Sequence, residues 1–316
     1  MPLDDGVRLL EKVARLYYED DLTQQEIADQ LGMSRPKVAR LLKQAKERGI
    51  VKIEIVSKPA LSGLERALER RFGLKEAVVV RVNSNNEALL QREIGSAAAD
   101  CFLRVVNDED TVAVSWGRTL FELVGALRPQ HVHARIVQMV GGFGRIDINI
   151  HASEIARRIA EKLDGSYMPL HAPAIVQNAA IQRAMMEDVS VHDVMEAARQ
   201  ARIALVGIGT PNTRSVLVES GYLSIEEMEV IKQVAVGDIC AQFFTADGHI
   251  YESSLRHRVV GLPLEELKQI EYVLAAAGGT AKTAAILGAL RGRLINMLVT
   301  DETTAEAILK LDELDV

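Results

Sequence analysis

The stretch LTQQEIADQLGMSRPKVARLLKQ, residues 22–44, reads as two short helices joined by a glycine turn. Thr23 and Glu26 stand at the spacing of a capping box, in which the hydroxyl accepts from the Glu26 amide and the carboxylate reaches back. The helix they open buries Ile27, Ala28 and Leu31, and Gly32 supplies the left-handed residue that ends it. Ser34 stands at the cap of the next helix, with Pro36 in a first turn whose amides have no intrahelical partner. That helix buries Val38, Leu41, Leu42 and Ala45, leaving Lys37, Arg40 and Gln44 as an outward stripe flanked by Arg35 and Lys43. This is a helix-turn-helix pattern, and long donors on its second helix are what base edges and phosphates in a major groove require. Thr23, Gln24 and Ser34 fall where such a module meets phosphates. Residues 5–18 predict a preceding helix with Val7, Leu10, Val13, Ala14 and Tyr17 on one face, and residues 50–56 predict a short strand closing the module. A solvated helical hairpin is the plain structural alternative. Box, turn, second cap and donor stripe all falling in register favour the DNA-reading one.

Charge tells the same story locally. The 316 residues carry a net charge of −7, yet residues 33–58 hold eight Lys/Arg against two Glu, whereas residues 61–316 hold 26 Lys/Arg against 34 Asp/Glu. A basic island ahead of an acidic body predicts a small polyanion-binding domain, 1–57, on a larger domain, 58–316, with another task. Apolar residues make up 48% and charged residues 26%, as in ordinary globular chains. No stretch reaches the roughly 18 apolar residues of a membrane span, and the start lacks the pattern of a secretory signal. Cys101 and Cys240 suit neither a disulfide framework nor a metal site, so the expected setting is a reducing cytoplasm.

Residues 58–75 predict a linker helix with Leu61, Leu64, Leu68 and Phe72 on one face, either docked on the body or forming a dimer contact. Beyond it, strand candidates at 77–82, 111–115, 135–140, 203–208, 239–245, 272–276 and 294–299 alternate with amphipathic helices. That alternation predicts an α/β fold, a mostly parallel doubly wound sheet with helices on both faces. Glycines cluster just past several strands, at Gly117, Gly141-Gly142, Gly207 and Gly209, and Gly278-Gly279. Open parallel sheets bind ligands at that edge, where glycine lets amides approach. At the last loop Thr280 is expected to cap a helix whose first turn holds Lys282, offering amides, a hydroxyl and an ammonium to an anion. For any one loop, a tight turn explains the glycine equally well. Trp116 is a candidate pocket wall or a packing residue.

No P-loop, dinucleotide fingerprint or nucleophile elbow occurs, and His131 and His133 lack a ligand cluster, so neither a cofactor nor a metal is expected.

Thr23–Ile55 and the body together resemble the SorC/DeoR-type sugar-binding transcriptional regulators over nearly the whole chain. The carriers are Leu16-Tyr17-Tyr18, the segment 22–28, Leu31 to Arg35, Trp116-Gly117-Arg118-Thr119, Val140-Gly141-Gly142, Val206 to Gly209, Val236 to Ile239, Phe243 to Gly248, Ala277-Gly278-Gly279 with Lys282, and Leu298 to Glu302. The resemblance implies a body with the fold shared by ribose-phosphate isomerase, glucosamine-phosphate deaminase and CoA-transferases, used as an effector sensor. Carried over, its pocket involves Gly117, Thr119, Gly141, Gly142, Asp247 and Lys282. Val140 stands where phosphate-binding members carry arginine, and His151 and Ser153 stand where many relatives carry asparagines. The implied partners are operator DNA and a small sugar, polyol or sugar phosphate, and the implied assembly is a homodimer or homotetramer.

The alternative is a sugar-phosphate isomerase or deaminase with a DNA-binding appendage, with Asp247 or Asp238 as base. Proton abstraction needs a positioned acid–base pair, and no motif supplies one. The reading is therefore a regulator rather than an enzyme.

Overall fold

A computed structural model describes residues 5–52, 59–84, 86–144, 151–213 and 215–314. The chain divides into two compact units, Met1–Ser57 and Lys58–Val316. The first holds α1 (Asp5–Tyr18), α2 (Gln24–Leu31) and α3 (Arg35–Glu47). Val13, Ile27, Ala28, Val38 and Leu42 pack into its core, joined by Leu10, Ala14 and Ala45. The strand expected at 50–56 falls largely outside the described residues. Residues 50–52 continue the turn after α3, with the amides of Ile50 and Val51 donating to the Ala45 carbonyl at 2.9 and 3.1 Å.

The second unit begins with α4 (Pro59–Phe72), β1 (Glu76–Val80), α5 (Glu87–Val105), β2 (Thr111–Val114), α6 (Arg118–Ala126), β3 (Arg135–Gln138), α7 (Ala152–Leu163) and β4 (Ser166–Met168). It continues through α8 (Ala179–Glu187), α9 (Val189–Arg199), β5 (Ile203–Val206), α10 (Val216–Glu219), α11 (Ile225–Lys232), β6 (Ala235–Ile239) and β7 (Gln242–Thr245). The last elements are α12 (Leu264–Leu267), β8 (Tyr272–Ala276), α13 (Thr283–Arg291), β9 (Met297–Asp301) and α14 (Glu302–Leu314).

Seven strands form one parallel sheet in the order β1-β9-β8-β5-β2-β3-β4. Strand side chains alternate between two cores. Val112, Val114, Ile203, Leu205 and Leu274 pack with Ile94, Leu120 and Ile155 from α5, α6 and α7. Ala113, Ala204, Val206 and Ala275 pack with Leu68, Met228, Ile286 and Ile308 from helices on the other face. The sheet is therefore doubly wound. After β2 the chain builds outward through β3 and β4, then returns to place β5 on the other side of β2. A crevice opens where strand order reverses, at the carboxyl ends of β2 and β5.

One expected strand is two. The expected stretch 239–245 straddles the turn of a hairpin over 235–245, in which β6 and β7 pair antiparallel around Cys240 and Ala241, both left-handed at φ 53° and 62°. A two-residue turn with both centres left-handed matches strand twist, but normally uses Asn or Gly. Neither Cys nor Ala signals it.

The linker helix docks on the body. Leu68 is fully buried, and the Glu69 and Glu65 carboxylates accept from the Ala77 and Val79 amides of edge strand β1 at 3.1 and 3.0 Å. The glutamates thus occupy donors that would otherwise invite another strand. Nearby, buried Asp312 of α14 pairs with Arg71 of α4 and with Arg291 of α13. Burial alone would raise the Asp312 carboxyl, but hydrogen bonds from Arg71 and Arg291 outweigh it and hold it below the ordinary value. Among the described residues no helix is long and apolar enough to cross a membrane.

Replacing Asp312 by alanine strands two guanidinium groups, one of them half solvated. Urea unfolding at neutral pH is expected to show a loss of about 2 kcal/mol. The difference from the parent shrinks as pH falls through the lowered carboxyl value, because protonation removes the same interaction.

Candidate functional site

In the N-terminal unit, Thr23 and Glu26 make the expected capping box. The Glu26 amide donates to Thr23 Oγ1 at 3.3 Å, and Glu26 Oε2 accepts from the Thr23 amide at 2.8 Å and from its hydroxyl at 2.7 Å. Gly32 takes the left-handed conformation at φ 64°. Ser34 occupies the cap position of α3, but its hydroxyl makes no cap hydrogen bond. With Val38, Leu42 and Ala45 buried, Arg35, Lys37 and Arg40 are left exposed beside half-buried Gln44. Among the described residues none of these three cations has an ion pair, whereas Lys43 pairs with Glu47 at 3.9 Å. Thr23, Gln24 and Arg35 share one depression with Tyr17 and Tyr18. A row of solvated, unpaired donors on a helix fixed from behind suits contact with a phosphate backbone.

In the body, a cavity of about 270 Å³ opens at the crevice between β2 and β5. The loop after β2 lines it with Ser115, Trp116 and Gly117, the first turn of α6 with Arg118 and Thr119, and the loop after β5 with Gly207 to Thr210. Gly117 caps α6 at φ 136° and ψ 158°, a conformation that favours glycine, and the first amides of α6 have no intrahelical partner. Trp116 forms part of the wall and rests on Phe143 at 4.6 Å between ring centroids.

The β6–β7 hairpin brings in the group that defines the interior. Gly209 and Asp238 exchange backbone hydrogen bonds of 2.9 and 3.1 Å, and any Cβ at Gly209 would collide with Oδ1 of Asp238. Asp238 is 8% exposed, and its Oδ2 accepts from the Ala241 amide at 3.2 Å. Burial pushes its carboxyl up to about 6, while the Ala241 hydrogen bond and Lys282 oppose the rise. Lys282 also lines the cavity, and its ammonium donates to the Ile208 carbonyl at 2.9 Å. Burial lowers its ammonium below the ordinary lysine value, against the pull of Asp238. Cys240 donates to Ser115 Oγ at 3.1 Å, and burial pushes this thiol up to about 12, so it is a neutral packing group.

Of the carried-over residues, Gly117, Thr119 and Lys282 meet at this cavity. Gly141 and Gly142 do not line it. Their amides donate to Val260 and Ala172 carbonyls at 3.0 and 2.9 Å, and a Cβ at Gly141 would run into the Pro173 backbone. Close chain packing accounts for the Gly141 position. Asp247 lies exposed in the turn after β7 and lines a separate depression with Arg256 and Lys268. Val140 is buried in strand-like pairing with Gly261.

Thr280 does not cap the helix that follows, which begins at Thr283 with Lys282 in the cap position. The Gly279 amide donates to Asp301 Oδ2 and Thr304 Oγ1, both at 2.8 Å, and Thr280–Lys282 is a 3₁₀ turn. Asp238 was visible in the sequence as a possible enzymatic base and within the stretch Val236 to Ile239 that carries the resemblance, not as a wall of the cavity. Asn212, Ser215 and Cys240 carried no signal as site residues, because loops distant in sequence assemble them.

Comparison with known proteins places this architecture. Residues 59–310 match the family model described as "Putative sugar-binding domain", and residues 8–66 match the Crp-like helix-turn-helix domain. The chain belongs to the SorC/DeoR-type sugar-binding transcriptional regulators. It is 36% identical to the deoxyribonucleoside regulator of Bacillus subtilis, over 94% of this chain and 96% of that one. It is 34% identical to the sorbitol operon regulator of Klebsiella pneumoniae, over 98% and 100%. The crystal structure of that full-length regulator, SorC, superposes with a TM-score of 0.74 at 33% identity, covering 97% of this chain and 100% of that one. A SorC/DeoR-type regulator combines a DNA-binding helix-turn-helix with a sugar-binding domain. These relatives are regulators, and none supports the isomerase or deaminase alternative.

Because the folded state raises the Asp238 carboxyl, protonation favours folding, and that advantage disappears as pH rises from the ordinary carboxylate value through about 6. Asp238→Asn is therefore expected to stabilise the ligand-free protein at pH 8, by up to about 3 kcal/mol. Thermal melts at a series of pH values are expected to show the gap closing towards pH 4.

Proposed function

We propose that α3 reads operator DNA and that a small sugar, polyol or sugar phosphate in the β2–β5 cavity adjusts that binding. In this reading Arg35, Lys37, Arg40 and Gln44 enter or flank the major groove, while Thr23, Gln24 and Ser34 meet phosphates. The carrying observation is that Arg35, Lys37 and Arg40 are exposed, and unpaired among the described residues, on a helix whose other face is buried. The uncapping hydroxyl of Ser34 supports it, being left available for a phosphate oxygen.

The cavity supports the second half. Its 270 Å³ lies at or below the usual range of about 300–1,000 Å³ for small-molecule sites, which suits a monosaccharide-sized compound. Its walls mix carboxylate, ammonium, hydroxyl and amide groups, the partners that carbohydrate hydroxyls need. The effector residues are Gly117, Thr119 and Lys282, joined by Asp238. Relatives named for a sorbitol operon and for deoxyribonucleosides support a carbohydrate-type effector. The effector acts by binding the DNA-competent and DNA-incompetent arrangements unequally. Reading two-fold half-sites calls for a homodimer or homotetramer, in the cytoplasm where the operator lies.

Arg40→Ala tests the reading helix. Electrophoretic mobility shifts are expected to show operator affinity falling about tenfold, with the salt slope reduced by about one. Its melting temperature is expected to stay that of the parent. Unchanged operator affinity would remove α3 from the interface.

A further inference from the structure

A second concave surface lies on the edge of the parallel sheet opposite the β2–β5 cavity. It is a depression of about 790 Å³ at the amino ends of β1, β9 and β8, where α4, α12 and α13 terminate. Five cations line it, Arg70, Arg71, Lys268, Arg291 and Arg293, against one carboxylate, Asp312. Counting Asp315 against them as well, which lies outside the described residues, still leaves three positive charges in excess. The acids around Lys268 in the chain are committed elsewhere, Glu265 to Arg256, Glu266 to Arg199 and Glu271 to Lys75. Among the described residues Arg70, Lys268 and Arg293 have no ion pair.

Basic residues in the last turn of a helix ordinarily complement its dipole. That accounts for part of the cluster, because the ends of α4 and α13 together present about one negative charge. It does not account for the rest, and two features mark the surface as organised. Buried Asp312 accepts from Arg71 Nε on Oδ2 at 2.5 Å, and from Arg291 Nε and Nη2 on Oδ1 at 2.9 and 2.7 Å. One carboxylate thereby fixes two guanidinium groups in advance, which lowers the ordering cost of binding. Arg293 is the second feature. It stands left-handed at φ 52° just past α13, with its amide donating to the Leu290 carbonyl at 3.0 Å and the Leu294 amide to Ala289 at 2.9 Å. Glycine is the usual residue at that position. Here an exposed arginine holds it and adds a guanidinium to the depression.

Guanidinium groups offer paired donors that match phosphate oxygens. A phosphate monoester carries about two negative charges at most, fewer than the excess, so two phosphate groups match it better than one. The volume falls in the range of about 300–1,000 Å³ usual for small-molecule sites. Screening acts over about 8 Å at physiological salt, so a small anion meets the local excess alone. A long nucleic acid would also meet a body whose residues 61–316 carry a net −8.

We propose that this depression is a second ligand site, separate from the β2–β5 cavity, and that it takes a small compound carrying two or more phosphate groups.

Calorimetry on the full-length protein at about 0.15 M salt tests this, with inorganic pyrophosphate beside inorganic phosphate. One pyrophosphate per chain is expected, bound at least about tenfold more tightly than phosphate. Arg293→Gly removes a guanidinium where glycine is favoured, so pyrophosphate is expected to weaken about tenfold with no fall in melting temperature. Arg70→Ala, at an exposed position, is expected to weaken it at least about threefold. Lys282→Ala and Arg40→Ala are expected to leave pyrophosphate binding as in the parent. Pyrophosphate that does not bind, that ignores both Arg293→Gly and Arg70→Ala, or that is lost in Lys282→Ala overturns the proposal and leaves the effector-site reading untouched. If Arg293→Gly instead lowers operator affinity, or changes the oligomer mass by light scattering, while pyrophosphate stays unbound, the surface serves DNA or a second copy and the proposal fails.

Discussion

The backbone exchange between Gly209 and Asp238 joins the two sheets of the body. It holds the β6–β7 hairpin against the loop leaving β5, and it fixes a carboxylate beneath the edge where the parallel strands end. Only glycine at position 209 leaves room for that carboxylate. The Cys240–Ala241 turn, left-handed without glycine or asparagine, is set by the same closure, with Ser115 holding the thiol and the Ala241 amide holding the acid. The cavity thus inherits its shape from sheet topology and its buried carboxylate from one hairpin.

Charge separates the two tasks of the chain. Residues 61–316 carry a net −8, which repels a nucleic acid, while the unpaired cations of α3 attract it. In the proposed reading, backbone attraction is thereby concentrated on α3 rather than spread over the body. Among the described residues the body's cavity is lined by both carboxylates and cations, with Asp238 and Lys282 the inner pair.

Local rules made the N-terminal unit legible. Thr23–Glu26, Gly32 and the apolar face at Val38, Leu42 and Ala45 act within a few residues of one another, and the helix expected at 5–18 is α1. The buried strands β2, β3, β5 and β8 were legible as β-branched and alanine-rich runs between helices. The short edge strand β4 and helix α8, which buries no residue, carry weak periodic signals and were not. The hairpin was hidden because its turn lacks the usual residues. Gly117, Thr119 and Lys282, expected in loops and helix starts after strands, do line the cavity. Asp247 was misplaced relative to the cavity because the reversal of β6–β7 carries residue 247 away and brings Asp238 in. No pattern along the chain could show that the Gly279 amide would be claimed by Asp301, more than twenty residues on.

If the α3 surface and the β2–β5 cavity belong to one switch, their ligands must be linked thermodynamically, and the linkage must be reciprocal. The direct measurement is operator affinity with and without a saturating carbohydrate found by calorimetry, paired with carbohydrate affinity with and without operator. Both ratios should depart from one by the same factor, about 5–150-fold for a typical coupling. Operator affinity that ignores a carbohydrate demonstrably seated in the cavity would contradict the proposed switch.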